Sequence, residues 1–339
     1  MLRVPVWVAA GVGTAVIFGL ALASIATGPT DFPIAEVLGT LAGPLAPGLG
    51  LPEPPDPVHR ILLDLRLPRT VLAVTVGAGL AIVGTLLQTA TRNDLADPFL
   101  FGLSSGAAAG AVAVITATGD LLGLWTLPLA AFAGGLLSAA TVLALVARAT
   151  GEGPERLVLA GLAVSFLFAA LTNYLVFAGD QRAAHSVLFW SLGGLGLARW
   201  DNLPFALAGL AVLIAFSVAK RRALDALLAG DETAASLGVQ PQRMRPAIFI
   251  VAAFATATFV ALSGVIGFVG LMVPHIARSF IGALHGPLIA ISALIGAGLM
   301  LGSDIASRTI LMPQELPIGI VTASVGAVFV IAIVLRRRN

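Results

Sequence analysis

TVLAVTVGAGLAIVGTLLQTA, running from Thr70 to Ala90, holds 21 residues without a single charge. A helix rises 1.5 Å per residue, so a run of this length covers a hydrocarbon core of roughly 30 Å. Its Gly77-Ala78-Gly79 step lets a neighbouring backbone come close, which is how helices associate where lipid is as apolar as leucine. Outward from it the pattern recurs at Val4 to Ala26, Phe99 to Thr118, Leu122 to Ala147, Leu157 to Ala178, Leu203 to Ala219 and Ala247 to Ser263. A Gly- and Pro-broken segment, Gly264 to Ile281, then precedes Pro287 to Leu301 and Ile318 to Leu335.

The whole chain shares this character. Its 339 residues are 58% hydrophobic and 11% charged, with a mean hydropathy of +1.01. Too little polar surface remains to meet water, so the expected fold class is an all-α polytopic membrane protein with about ten transmembrane helices. Residues 1–339 are expected to form one transmembrane domain. The run Val4 to Ala26 exceeds the ~7 to 15 residues of a signal-peptide core and reads as a retained first span. Residues 28–66, with Pro52, Pro54, Pro55 and Pro57, read as an extracytoplasmic loop that is not helical throughout.

The pI of 9.9 accompanies a net charge of only +2, and the basic residues sit in short clusters at span ends. That is a topology signal and not a nucleic-acid footprint. Arg3, Arg92, Arg148, Arg156, Lys220, Arg221, Arg222, Arg243, Arg245 and Arg336 to Arg338 fall on one side. Arg60, Arg66, Arg69, Arg182, Arg199 and Arg308 fall on the other, which predicts both termini in the cytoplasm. Cysteine is absent, excluding disulfides and thiolate chemistry.

Lys220 to Arg245 is a polar island between two spans and lies on the cytoplasmic side in this topology. Its centre reads Ala229-Gly230-Asp231-Glu232-Thr233-Ala234-Ala235-Ser236-Leu237-Gly238-Val239. Either an ordinary solvated loop or a docking helix fits that stretch. An ion-coupled secondary transporter needs an ionisable group near the bilayer midplane, and the span centres show no acidic residue. A membrane enzyme needs polar groups clustered at one depth, and the scattered His, Asp and Glu do not supply them. The only lysine, Lys220, follows Ala219, so the chain has no phosphate loop ending in Gly-Lys. Any ATP-driven motor must be a separate subunit.

Several motifs together resemble the FecCD family, the permease subunits of ABC importers for iron siderophores, haem and cobalamin. They are Arg66-Leu67-Pro68-Arg69, the turn Arg92-Asn93-Asp94-Leu95-Ala96-Asp97-Pro98, the island GDETAASLGV, GVIGFVGLMVPHIAR from Gly264 to Arg278, and Glu315-Leu316-Pro317-Ile318-Gly319. The resemblance implies a non-catalytic, multi-pass subunit of the cytoplasmic membrane, paired with itself as a homodimer. It implies two ATP-binding cassette subunits that carry ATP and Mg, a periplasmic or lipid-anchored substrate-binding protein, and no cofactor on this chain.

In that family the island, residues 220–245, becomes a pair of coupling helices. Gly230 and Gly238 would permit its turns, Asp231 and Glu232 suit a helix amino terminus, and Ala234, Ala235 and Leu237 would offer an apolar contact. Arg66, Arg69 and Arg308 match positions that receive binding-protein carboxylates, against a plainer role as interfacial side chains. Asn93 and Leu95 lie at the family's cytoplasmic gate. The loop Gly151 to Arg156, a second gate element by position, departs from the hydroxyl-bearing residues of some members. His275 shares no metal-ligand spacing with His59, His185 or His285 and reads as structural, so no metal site is expected.

Overall fold

Proline at the first turn starts several helices, because its missing N–H is unsatisfied there anyway and its φ is already helical. Pro57, Pro204 and Pro241 all stand at such positions. The computed structural model describes residues 5–42, 55–118, 122–149 and 153–336. Its helices are α1 (Val6–Ala26), α2 (Ile34–Ala42), α3 (Asp56–Arg60), α4 (Leu67–Thr91), α5 (Leu103–Ala113), α6 (Thr126–Arg148) and α7 (Glu155–Ala178). They continue as α8 (Gln181–Ser191), α9 (Leu203–Leu228), α10 (Asp231–Ser236), α11 (Pro241–Ser263), α12 (Val269–Ile281), α13 (His285–Thr309) and α14 (Ile318–Arg336). No strand occurs among the described residues.

Among the described residues eight helices are long and apolar enough to cross a membrane, and the chain is a multi-pass membrane protein. Two shorter apolar helices, Leu103–Ala117 and Val269–Ile281, stand where the other two expected segments lie. At 1.5 Å per residue, each extends only about 20 Å and does not by itself cover a 30 Å core.

Part of the expected loop 28–66 is helical, although residues 27–33 are not. Residues 34–42 are α2, and helix begins at Asp56 and runs on to Thr91, with a π-type stretch at Ile61–Arg66 joining α3 to α4. Pro55 and Pro57 initiate that helix instead of breaking it. Pro52 and Pro54 lie outside the described residues, as do Arg3, Gly151, Glu152, Arg337 and Arg338.

α4 is the centre of the molecule. Of its most apolar stretch 89% is buried, against 11% for α1, 22% for α7 and 17% for α14. It packs on α9, α11, α12 and α13. Glycine makes these contacts possible: a Cβ on Gly77 would overlap the Gly296 carbonyl of α13, and one on Gly84 would overlap the Gly270 carbonyl of α12. α5 packs on α6 and α7, and α1 leans on α13. Phe101 meets Phe249 edge to face at 6.1 Å between centroids in the core. The apolar faces of α1, α7 and α14 are left outward, including Trp7, Phe166 and Phe177. A molecule with such a surface lives in lipid or against another chain.

Candidate functional site

α9 does not stop at Ala219 but carries Lys220, Arg221 and Arg222 as helix to Leu228. Lysine and arginine are good helix formers whose long stems cover apolar surface, so a basic cluster ends a membrane span without ending a helix. Gly230 (φ 105°) then turns the chain into α10, and Gly238 (φ 79°) turns it out again toward α11. Both are conformations that a side chain rarely tolerates. The expected pair of short helices is therefore a single one of six residues, since Lys220 to Leu228 belongs to α9 and Pro241 already starts α11.

α10 has two distinct faces. Glu232, Ala235 and Leu237 face outward, Leu237 being 67% exposed. Ala234, expected to share that contact, is fully buried against the chain itself. Asp231 is also turned inward in part, where its Oδ1 accepts from Arg245 Nη2 at 2.5 Å. Arg245, nearly buried, donates from Nε to the Ala90 carbonyl of α4 at 2.9 Å.

A second set of polar side chains lies beside the first. Asp225, near the end of α9, accepts from both the backbone N–H and Nδ1 of His285, each at 2.8 Å. His285 Nε2 lies 2.7 Å from Thr89 Oγ1 on α4. The carboxylate thus caps α13 from another helix, in the place of a local capping residue. Sequence reading considered His285 only for metal spacing. The available signal was its place beside Gly286-Pro287 at a helix start, with one aspartate in the basic tail of the preceding island helix.

Past Thr91 the chain reverses through Arg92, which adopts a left-handed φ of 52°. Asn93 follows; its Oδ1 accepts from Leu95 N–H at 2.9 Å, while Leu95 itself is exposed. Asp94 pairs with Arg278 of α12 at 3.1 Å. Gln88 Nε2 donates to the carbonyls of Ala96, Gly270 and Leu271, fastening the last turns of α4 to this loop and to α12. A cavity of 130 Å³ opens between the turn and α14, lined by Leu95, Leu271, His275 and Phe329. His275 packs edge-on against Phe329 at 5.7 Å.

Asp97 closes the loop. Burial pushes its carboxyl up to about 6, against the opposing pull of the Phe99 and Leu271 N–H groups. The neighbouring loop begins at Gly153 in the described residues, where Arg156 donates to the Val146 and Ala149 carbonyls. Among the described residues no group of His, Asp and Glu forms a metal-binding cluster.

At the opposite end of α4, the three singled-out arginines converge. Arg69 Nε lies 2.8 Å from Asp304 Oδ1, and Arg308 Nη2 lies 2.7 Å from Asp304 Oδ2. Arg69 also reaches Glu315 at 2.9 Å. Arg308 further donates to Thr27 O and to Ser24. Arg66 donates to the carbonyls of Ile25, Ala26 and Thr30, and its guanidinium stacks 4.5 Å from the Phe32 ring. Arg66 and Arg308 are buried with their donors committed within the chain; Arg69, with the half-exposed Glu315 beside it, lies nearest the outside. The set ties α1, α4 and α13 together.

Comparison with known proteins agrees with this architecture. The chain is 41% identical over 279 residues to a cobalamin import system permease of Halobacterium salinarum, covering 81% of this chain and 73% of that one. It is 38% identical to a hemin transport system permease of Yersinia pestis, covering 84% and 86% of the two chains. It is 37% identical to an Fe(3+) dicitrate transport system permease of Escherichia coli K12, covering 83% and 86%. A metal-chelate type ABC transporter solved in an inward-facing conformation superposes with a TM-score of 0.81 at 28% identity, covering 96% of this chain and 98% of that one. With the FecCD transport family model matching residues 15–336, the chain belongs to the FecCD transport family.

Proposed function

We infer that this chain is the non-catalytic permease subunit of an ATP-driven importer in the cytoplasmic membrane. It forms the translocation path for a bulky metal chelate as a homodimer: a ferric siderophore, haem or cobalamin. Residues 1–339 act as one membrane domain of ten segments with both termini in the cytoplasm, the two short apolar helices completing the eight long ones. The observation that carries the reading is α10, a six-residue helix held out between two long membrane helices with Glu232, Ala235 and Leu237 exposed. With no phosphate loop in the chain, ATP-driven transport takes its energy from a partner, and this helix is the surface offered to an ATP-binding cassette. Gly230 and Gly238 set its turns, and Asp231, Ala234 and Arg245 support it from beneath.

At the other end a periplasmic or lipid-anchored binding protein docks. Arg69 lies nearest the outside there, already paired with Asp304 and Glu315, with Arg66 and Arg308 holding the helices that position it. A planar guanidinium suits a carboxylate partner. Asn93 and Leu95 form the cytoplasmic gate at the end of α4, where an Asx-type turn holds the loop. No cofactor is assigned to this chain; ATP and Mg belong to the partner subunit.

The test is uptake in proteoliposomes holding the permease, its ATPase and its binding protein, with haem, cobalamin and ferric siderophores compared. ATP-dependent accumulation of one chelate class is expected. Accumulation driven by an ion gradient in vesicles lacking the ATPase would overturn the reading in favour of a secondary transporter.

A further inference from the structure

Two separate side-chain links leave the segment around α10 and end on the same turn of α4. The first runs Asp231, Arg245, Ala90: one guanidinium holds the first residue of α10 through Nη2 and a free carbonyl at the end of α4 through Nε. The second runs Asp225, His285, Thr89: one imidazole joins the tail of α9 to α4 and carries the start of α13 with it. Thr89 and Ala90 are neighbours in sequence, and Thr91 is the last residue of α4.

The same stretch is tied forward. Gln88 donates to Ala96 of the loop and to the start of α12, and Asn93 N–H donates back to Gln88 O at 3.2 Å. Asp94 is tied to Arg278. The final turns of α4 therefore have inputs from the α10 side and outputs on the Asn93–Leu95 side. A fold needs only one such link to hold two helices together. Two, made with charged or ring donors at nearly full burial, fix the position of this turn relative to α10 in more than one direction.

We propose that the last turn of α4 is the element through which movement of α10 reaches the Asn93–Leu95 turn, with Arg245 and His285 as the positioning residues that carry it. This rests on the reading of α10 as the ATPase contact. When an ATPase draws α10 sideways, Arg245 pulls on Ala90, and Asp225 pulls on Thr89 through the His285 ring. The turn that follows moves because its own hydrogen bonds run back to Gln88.

Thr89→Val tests the second link, since valine matches the shape of threonine and lacks only the hydroxyl, whose other contact is the Thr85 carbonyl within α4 itself. Arg245→Lys tests the first, keeping the charge opposite Asp231 but losing the fork that also reaches Ala90. In the reconstituted complex each variant should lower chelate transported per ATP hydrolysed by at least threefold, and the double variant by tenfold or more. A second readout needs no transport. A spin label on Leu95→Cys, in a chain with no other cysteine, should shift on nucleotide binding in the parent and lose that shift in the double variant.

Parent-like transport per ATP, or an undiminished label shift, in the double variant overturns the proposal. So does a loss that follows the amount of assembled complex, which marks the links as structural only. If α10 fails to crosslink to the ATPase in a complex that transports, the reading of α10 falls, and this inference with it. If the crosslink forms and the variants stay coupled, only this inference falls.

Discussion

Asp304 has no exposed surface, yet it faces two guanidinium groups, Arg69 and Arg308. Taking charges out of water costs several kcal/mol each, and the pairing offsets that only while every partner is present. Asp304→Asn leaves two buried cations facing a neutral amide and should cost about 3–5 kcal/mol, the range for breaking a buried pair. It would read as a clear fall in Tm in detergent. Glu315→Gln removes the half-exposed partner of Arg69 and should cost about 1 kcal/mol or less. Equal losses in the two variants would contradict the central place given to Asp304. The arginines were legible in sequence, because Arg66-Leu67-Pro68-Arg69 stands out at the head of an apolar run. Their partner was not, since Asp304 lies 235 positions from Arg69 and only the antiparallel packing of α4 on α13 brings them together. Thr89, Asp225 and His285 were hidden for the same reason: each is unremarkable until the fold juxtaposes them.

Close approach of backbones at glycine joins side-chain packing in holding the helices of this molecule together. Gly84→Ala would drive a methyl group into the Gly270 carbonyl, where no flexible side chain can yield. Overpacking of this kind costs about 1–3 kcal/mol or more, and the variant should show reduced thermal stability and reduced transport together. Gly298→Ala is the matched control: its new methyl would meet only Leu20 Cδ1 at 3.8 Å, and alanine favours helix over glycine by up to about 1 kcal/mol. A Gly84→Ala protein as stable as that control would refute the close approach of α4 and α12. At this scale the sequence was informative about apolar runs and about the break at Gly264. Element starts were harder. Pro55 and Pro57 read as breakers because proline disrupts a helix interior, whereas here they open one. The basic cluster Lys220 to Arg222 read as a helix end because it ends the apolar run, although the helix continues to Leu228. α8 went unseen because eleven residues of mixed polarity carry neither a span-length apolar run nor a strong stop signal.

The whole molecule presents α10 at one end and the arginine cluster at the other, with α4 running between them. A partner ATPase should therefore be reached from one face of α10 only. A bifunctional thiol crosslinker is expected to join Ala235→Cys to an ATPase subunit and to leave Ala234→Cys unreacted, since Ala234 is fully buried while Ala235 is exposed. Equal reaction at both positions would mean that α10 unfolds or detaches in the complex. The family, the membrane location and the all-helical class were readable from composition and from motifs kept in order along the chain. The two faces of α10 were not, because alanines at neighbouring positions look alike until burial separates them.

The length of α4, from Leu67 to Thr91, has a mechanical consequence. Its 25 residues, at 1.5 Å each, make a rod of about 37 Å with one end beside the arginines and the other beside the Asn93–Leu95 turn. Glycine-to-carbonyl contact with α12 and α13 leaves little room for the rod to bend or shear against its neighbours. It can pivot with them as one body. A tilt of about 8° over that length displaces the far end by roughly 5 Å, close to the pitch of one helical turn. A rotation of about 8° at one end of this rod is thus equivalent to a step of about one helical turn at the other.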